Sequence, residues 1–401
     1  MKRKGFTLIE LLAVIVILAI IALISTPIII GVIEKARRGA FEDSAYGVLD
    51  AAKLYFTDKL ADDNSFAYTE IDFNGDMKDF KISGEKPYGG SLLIDDNGKQ
   101  AIALYDKDQK WCAVKTFEEE KIRIIENYTK CDKDIAENLI INGYGEYGDN
   151  TNLGAFTFKD GIYEVGFSNN NPLVSTNFIE VDPTQKYVES LDLKGVSTKG
   201  TFYVGLAEYD IDKKLISGAI TSFVQETVTL LKQDLKNGDT KVYLEDLSSW
   251  ITTPHPVYDS VYTGFKFWNY KDSTGYLYPP ETYTRNTCYK VFDVTMIDKV
   301  ENTITLRAPW NGGLYTKGTS VSQSSDGSGY NYGIMVSSNL PASWTHYKNE
   351  IQGTNTNGNP SVSQNFRPGT RYIRFMIMGT DTDENTKIML KNIVFKKVTS
   401  N

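Results

Sequence analysis

The sequence predicts an α+β amino-terminal unit, a long helix with a small antiparallel sheet, followed by an all-β sandwich that carries an inserted small β domain. Three observations lead there. An uncharged apolar run from Leu11 to Ile33 passes without a break into helical periodicity. Short alternating segments with Asn-Gly turns follow it. Two blocks of longer alternating strands are then separated by about 100 residues with a strand-and-turn pattern of their own, too long for a plain loop.

Composition sets the bounds. A chain of 401 residues is long enough for two or three domains, each with its own core. An aromatic fraction of 12% beside an ordinary charged fraction of 23% excludes a disordered polymer. The 51 acidic and 43 basic residues give a net charge of −8, with no basic block beyond the first 40 residues. A non-specific nucleic-acid binder needs a positive footprint on the phosphates, so no nucleic-acid partner is expected. The two histidines, His255 and His346, and the widely spaced Cys112, Cys131 and Cys288 offer no CxxC or HxxxH pair, which excludes a His/Cys zinc site. No metal or cofactor is expected, although carboxylate-only calcium stays open.

The amino terminus comes first. A basic leader, Met1-Lys2-Arg3-Lys4-Gly5, precedes Phe6-Thr7-Leu8-Ile9-Glu10, and the run that follows is long enough to cross a bilayer as a helix. A cleavable secretory signal has a shorter apolar region with small residues after it, which is not the order here. Glu34, Lys35, Arg37 and Arg38 end the run, and Ala40, Val48, Ala51, Ala52 and Tyr55 carry one helical face on toward Leu60. Residues 6–60 as one helix extend about 80 Å, half of it in lipid. Glu10 is the anomaly, because a carboxylate inside a spanning helix costs about 2.5 to 3.5 kcal/mol near the bilayer centre. Once the leader is removed the sequence places no cation near it, whereas cleavage after Gly5 creates a new amine on Phe6 that a neighbouring subunit can offer.

Lys4-Gly5-Phe6-Thr7-Leu8-Ile9-Glu10-Leu11-Leu12 resembles, without a gap, the prepilin signature of type IV pilins and pseudopilins. The resemblance implies that a prepilin peptidase cuts after Gly5, that Phe6 is N-methylated, and that Glu10 guides assembly with other pilin subunits. Pro27 falls where many pilin helices have a kink-forming proline. A simple membrane anchor is the alternative for an apolar helix alone. Basic residues flank both ends of the run, so the positive-inside rule does not fix its orientation. The resemblance places the carboxyl terminus outside, in a chain that spans the membrane once before assembly and then belongs to an extracellular filament or the cell surface.

Residues 61–134 read as the pilin β domain, packed on the exposed half of the helix. Ile71-Asp72-Phe73 precedes Asn74-Gly75, Ser91-Leu92-Leu93-Ile94 precedes Asn97-Gly98, and Ala101-Ile102-Ala103-Leu104-Tyr105 follows. In an extracellular domain Cys112 and Cys131 form a disulfide closing a loop of about 20 residues, worth about 3 kcal/mol. Two free thiols are the alternative, and Cys288 is left over. Asn142-Gly143-Tyr144-Gly145-Glu146-Tyr147-Gly148 has GxGxxG spacing, yet no helix follows to bind a pyrophosphate. It reads as a linker and the first turn of a new β domain.

Segments 179–183, 187–194, 201–210, 366–378 and 388–395 alternate as strands. Together, residues 135–222 and 323–401 resemble the galactose-binding-like jelly rolls found in carbohydrate-binding modules and phage tail proteins, a resemblance of pattern that implies a jelly-roll sandwich. Residues 223–322 read as the inserted β domain, with strands near 227–230, 236–244 and 302–306.

Chemistry is sparse. His255, between two prolines, and His346 have no nucleophile beside them in sequence, so no enzyme is expected. Asp381-Thr382-Asp383-Glu384-Asn385 opens like a calcium loop, but Thr386 and Asn392 stand where an EF-hand needs Gly and Glu, and a turn accounts for it better. Aromatic clusters are more suggestive: Trp268, Tyr270, Tyr276 and Tyr278 in the insert, and Tyr330, Tyr332, Trp344 and Tyr347 just before the returning strands. Flat rings beside polar groups suit sugars, with core packing the alternative for each ring. The function expected is therefore a minor or tip subunit of a type IV pilus-like filament with an adhesive, glycan-binding head. A pseudopilin of a type II secretion or DNA-uptake system and a membrane-anchored glycan-processing enzyme are the alternatives.

Overall fold

Helix α1 (Leu8–Asp63) buries only its last third. Ala45, Val48, Leu49 and Ala52 recur at the spacing of one helical face, and each is at most 5% exposed. They pack on Ile71, Leu92, Ile94, Ile102 and Leu104 of the small sheet. At about 1.5 to 3 kcal/mol for each large side chain, this contact fixes the sheet to the helix, and Val48→Asp would break it. The computed structural model describes residues 8–63, 65–75, 77, 80–83, 86–166, 172–197, 200–216, 223–253, 264–268, 270–275, 277–278, 294–323, 330–337, 339–355, 364–380 and 386–398. These fall into two compact units, one ending at Glu137 and one beginning at Asn138.

In the first unit β1 (Thr69–Asp72), β2 (Gly89–Ile94), β3 (Gln100–Tyr105), β4 (Trp111–Lys115) and β5 (Arg123–Glu126) form an antiparallel meander in chain order. The β2–β3 hairpin closes at Asn97-Gly98. Asp95 accepts from the Asn97 and Lys99 amides at 3.0 and 2.7 Å, and Gly98 takes a φ of 80°, a conformation that suits glycine. The Asn74-Gly75 signal is corrected. A turn forms there, but Asp72 pairs with Ser91, so a long connection and not a tight hairpin joins β1 to β2. The other side of the sheet meets α2 (Lys133–Glu137) through Ala136, beside Cys131. Cys112 and Cys131 are bonded, tying β4 to the residues just before α2.

In the second unit β6 (Thr157–Lys159), β7 (Ile162–Gly166), β8 (Leu173–Val174), β9 (Ile179–Glu180), β10 (Tyr187–Gly195) and β11 (Thr201–Tyr209) precede the insert. The insert holds β12 (Thr229–Leu230), β13 (Lys241–Tyr243), β14 (Phe265–Phe267), β15 (Tyr270–Lys271), β16 (Leu277–Tyr278), β17 (Val294–Asp298), β18 (Thr303–Leu306) and β19 (Ser320–Gln323). Then β20 (Asn331–Val336), β21 (Thr345–Ile351), β22 (Tyr372–Thr380) and β23 (Lys387–Lys397) return. Two antiparallel sheets, β21-β10-β23-β7-β6 and β20-β11-β22-β8 with β9 also on β22, face each other as a jelly-roll sandwich. Alternate residues of both, among them Leu191, Leu193, Phe202, Val204, Phe375 and Leu390, close one core. The insert strands pair among themselves around Trp250, Phe265, Phe267, Trp310 and Tyr315.

Two segments differ from the sequence expectation. Residues 366–371 are not strand, since Gly369 sits in a turn at φ 82° and β22 begins only at Tyr372. The segments holding Tyr332 and Tyr347 are themselves sandwich strands, β20 and β21, and do not merely precede them.

The sandwich is tied shut at two places. Asn138 donates to the Ile393 carbonyl and accepts from the Phe395 amide, both at 3.0 Å, while the Leu139 amide donates to Phe395 at 2.8 Å. The start of the unit is thus clamped to β23, the middle strand of its sheet. At the root of the insert, fully buried Glu208 of β11 accepts from Asn331 at 2.7 Å, the Arg367 amide at 2.7 Å and the Thr370 hydroxyl at 2.5 Å. Arg367 in turn donates to the Ile216 carbonyl at 2.7 Å.

Candidate functional site

The helix is the first site. From Leu8 to Ile33 its large apolar side chains are 47–83% exposed, a bare cylinder about 39 Å long. That exceeds the roughly 30 Å hydrocarbon layer of a bilayer. Pro27 lies inside this stretch and cannot donate to the Leu23 carbonyl, while the neighbouring Thr26 hydroxyl donates to Ala22 at 2.6 Å. Glu10 is the acidic residue in the first turn. The bare stretch ends where the sheet reaches the helix: Lys110 pairs with Glu34, Arg37 with Asp108 at 3.9 Å, and Arg38 with Glu126 at 3.6 Å. Gly5 and Phe6 lie outside the described residues, as do His255, Tyr276, Cys288 and residues 381–385.

The rings proposed for ligand binding do not gather into one place. Trp268 is half-buried in the insert, its indole donating to the Ser322 hydroxyl at 3.0 Å with Phe223 edge-on at 5.0 Å. Tyr270 lies on β15, where only the backbone is described. Tyr347 packs against the sandwich core. Trp344 is half-buried, with the Lys391 ammonium 4.6 Å from its ring. Tyr330 joins a group of three rings, 6.4 Å from Tyr332, which lies 4.9 Å from Tyr203.

Tyr203 was missed by sequence reasoning, and so was a second group on the same outward side of the β11–β22 ladder. Phe178 lies 4.8 Å from Tyr209 and 6.2 Å from Tyr372, with the Lys213 ammonium 5.0 Å and the Arg374 guanidinium 5.3 Å from the Phe178 ring. The signal was the parity of β11. Phe202, Val204 and Leu206 enter the core, which turns Tyr203 and Tyr209 outward. Ala207 and Met376, between the two ring groups, are buried.

Two further polar features lie in the second unit. In the GxGxxG segment the Glu146 carboxylate accepts from the Asn142 and Tyr144 amides at 2.6 and 3.1 Å, and Tyr163 donates to the Asn142 carbonyl. The amides that a phosphate would need are thereby used within the turn. Glu189 of β10 is 1% exposed and points between the sheets toward Gly333, where an added Cβ would fall 2.5 Å from its carboxylate. Neither Glu189 oxygen reaches a donor in hydrogen-bond geometry. Burial pushes its carboxyl up to about 8, and the adjacent Asn349 amide offsets only part of that.

The family model for the prokaryotic N-terminal methylation motif matches residues 1–26. No curated protein matches the chain. A solved structure described as "CBM4 structure and function" is similar over 63% of this chain and 83% of its own, at 8% identity and a TM-score of 0.21. The sandwich assignment rests on strand order and the shared core, to which a likeness at that score adds nothing. The chain carries a prepilin methylation motif on a long apolar helix, which implies pilin-type assembly and processing by prepilin peptidase.

Proposed function

We propose that the protein is a minor or tip subunit of a type IV pilus-like filament, with the second unit acting as an adhesive, glycan-binding head. The observation that carries this reading is the bare helix from Leu8 to Ile33, which begins within the methylation motif and meets its own sheet only at Glu34. A surface of that extent has two apolar environments open to it, a bilayer before assembly and neighbouring helices afterwards. In the filament the carboxylate of Glu10 is neutralised by the Phe6 amine of a neighbour, since a charge among packed apolar helices must be paired. A head of this size is easier to place at a tip or at low density than along every turn of a filament.

For the head, the half-buried Tyr203, Tyr330 and Tyr332 offer ring faces to sugar C–H groups, and binding proceeds without turnover. Mass spectrometry of sheared filaments should find an N-methylated Phe6 as the first residue. Assembled subunits with Met1 intact would overturn the assignment. Glu10→Ala should leave membrane insertion unchanged while depleting the sheared fraction, and wild-type amounts there would contradict the role of Glu10.

A further inference from the structure

The outward side of the β10–β21 ladder carries a run of groups that the ring sites do not use. Strand alternation turns Tyr347 and Asn349 inward and leaves His346, Lys348 and Glu350 outward, in register with Asp192, Ser190 and Val188. At one end stands Trp344, with Lys391 against its ring. Lys194 lies one residue beyond the Leu193–Thr345 pair that adjoins Trp344. Among the described residues neither of these lysines is in an ion pair.

In the middle, Asp192 holds His346 Nδ1 at 2.8 Å and accepts from the Asn392 amide at 2.7 Å, which fixes three groups suited to hydroxyls. At the far end Lys186 and Lys348 converge on the single carboxylate of Glu350, at 2.5 and 2.7 Å. They line an open cavity of about 540 Å³ together with Gln352 and Gln364. From Trp344 to Glu350 the stripe runs about 20 Å at about 3.3 Å per residue. Four lysines face two carboxylates along it, in a chain whose net charge is −8.

We propose that this stripe binds an acidic polysaccharide, its lysines meeting the anionic groups while Trp344 stacks on a ring and the Asp192 cluster takes hydroxyls. The inference rests on the reading of the head as a glycan binder and adds a second face, on the sheet opposite the tyrosines, with its class of glycan. The lysine surplus calls for an anionic chain. Asp192 and Glu350, set between the lysines, oppose a continuous phosphate backbone but accept readily from sugar hydroxyls, which favours a polysaccharide over a nucleic acid. The stripe has one half-buried ring and no broad apolar patch, unlike a surface made for lipid.

The test uses the full chain in detergent on immobilised alginate, dextran and double-stranded DNA at about 0.15 M salt. Wild type should be retained on alginate, with retention falling as salt rises. Lys186→Gln with Lys348→Gln should weaken it by about tenfold or more, Trp344→Ala should also weaken it, and Lys317→Gln at an exposed site on the insert should not. The salt series on wild type keeps the test valid should a variant fold poorly. Salt-insensitive retention, or a double lysine variant that binds alginate like wild type, would overturn the inference, as would tighter retention on DNA. Binding to dextran that Tyr332→Ala abolishes, with alginate ignored, would overturn it and leave the glycan-binding head standing. Failure on every glycan would remove both.

Discussion

Glu189 shows what a single residue can cost this fold. Its carboxyl lies between the sheets with its folded-state pKa raised from 4.5 to about 8. The folded protein therefore prefers the protonated form. Between those two values the unfolded chain releases its proton and the folded chain does not, so stability is fullest below about pH 4.5 and declines as pH rises toward 8. Glu189→Gln keeps the shape and removes the titration. The difference in melting temperature between variant and wild type should grow from pH 5 to about 8 and then level off. A difference that stays constant across that range would exclude Glu189 as the titrating group. Sequence alone placed Glu189 on a strand, but its burial could not be read, because Asn349 beside it on β21 and Gly333 across the core on β20 belong to strands that were not recognised.

Elements are held to one another by few specific bonds. The Cys112–Cys131 bridge joins β4 to the residues before α2 with a sequence separation of 19, so its loss frees a loop worth about 3 kcal/mol. Cys112→Ser with Cys131→Ser should lower the melting temperature of the first unit, read by calorimetry, and leave that of the second unchanged. Glu208 joins β11 to residues that return about 120 to 160 positions later, past the whole insert. Glu208→Ala leaves the Arg367 region buried without its acceptor and should destabilise the second unit by about 3 to 5 kcal/mol in denaturant titration. A loss below 1 kcal/mol would mean that the bonds contribute little, about what one exposed ion pair is worth. Long elements with strong periodicity were legible: α1, the β2–β3 hairpin, β10, β11 and β23. Short or edge strands such as β8, β20 and β21 were not, because β8 has only two residues and β20 and β21 mix polar, aromatic and charged side chains with no clear apolar alternation.

At the scale of the whole molecule, the motif at the amino terminus was fully legible because it is a local pattern, while the arrangement of the rings depended on which sheet face each strand turned outward. That depends on pairing between residues far apart, as in Tyr203 beside Tyr332. The second unit has its own core and its ends are bonded together, so a fragment from Asn138 onward should fold by itself. Its thermal transition should be cooperative and match the one assigned to this unit in the full chain. A fragment that is molten or aggregates would show that the first unit is needed for folding.

In the proposed role, a surface filament that holds on to something is pulled. In that role tension from the filament would enter the second unit at Asn138, whose side chain and neighbour are bonded to Ile393 and Phe395. The pull is therefore delivered to the middle strand of a five-stranded sheet and shared by the strands on either side of it. The insert leaves and rejoins the chain between β11 and β20 of the opposite sheet, away from that line of force. Under the proposed role it could vary in sequence, or even come apart, without the grip of the head being mechanically weakened.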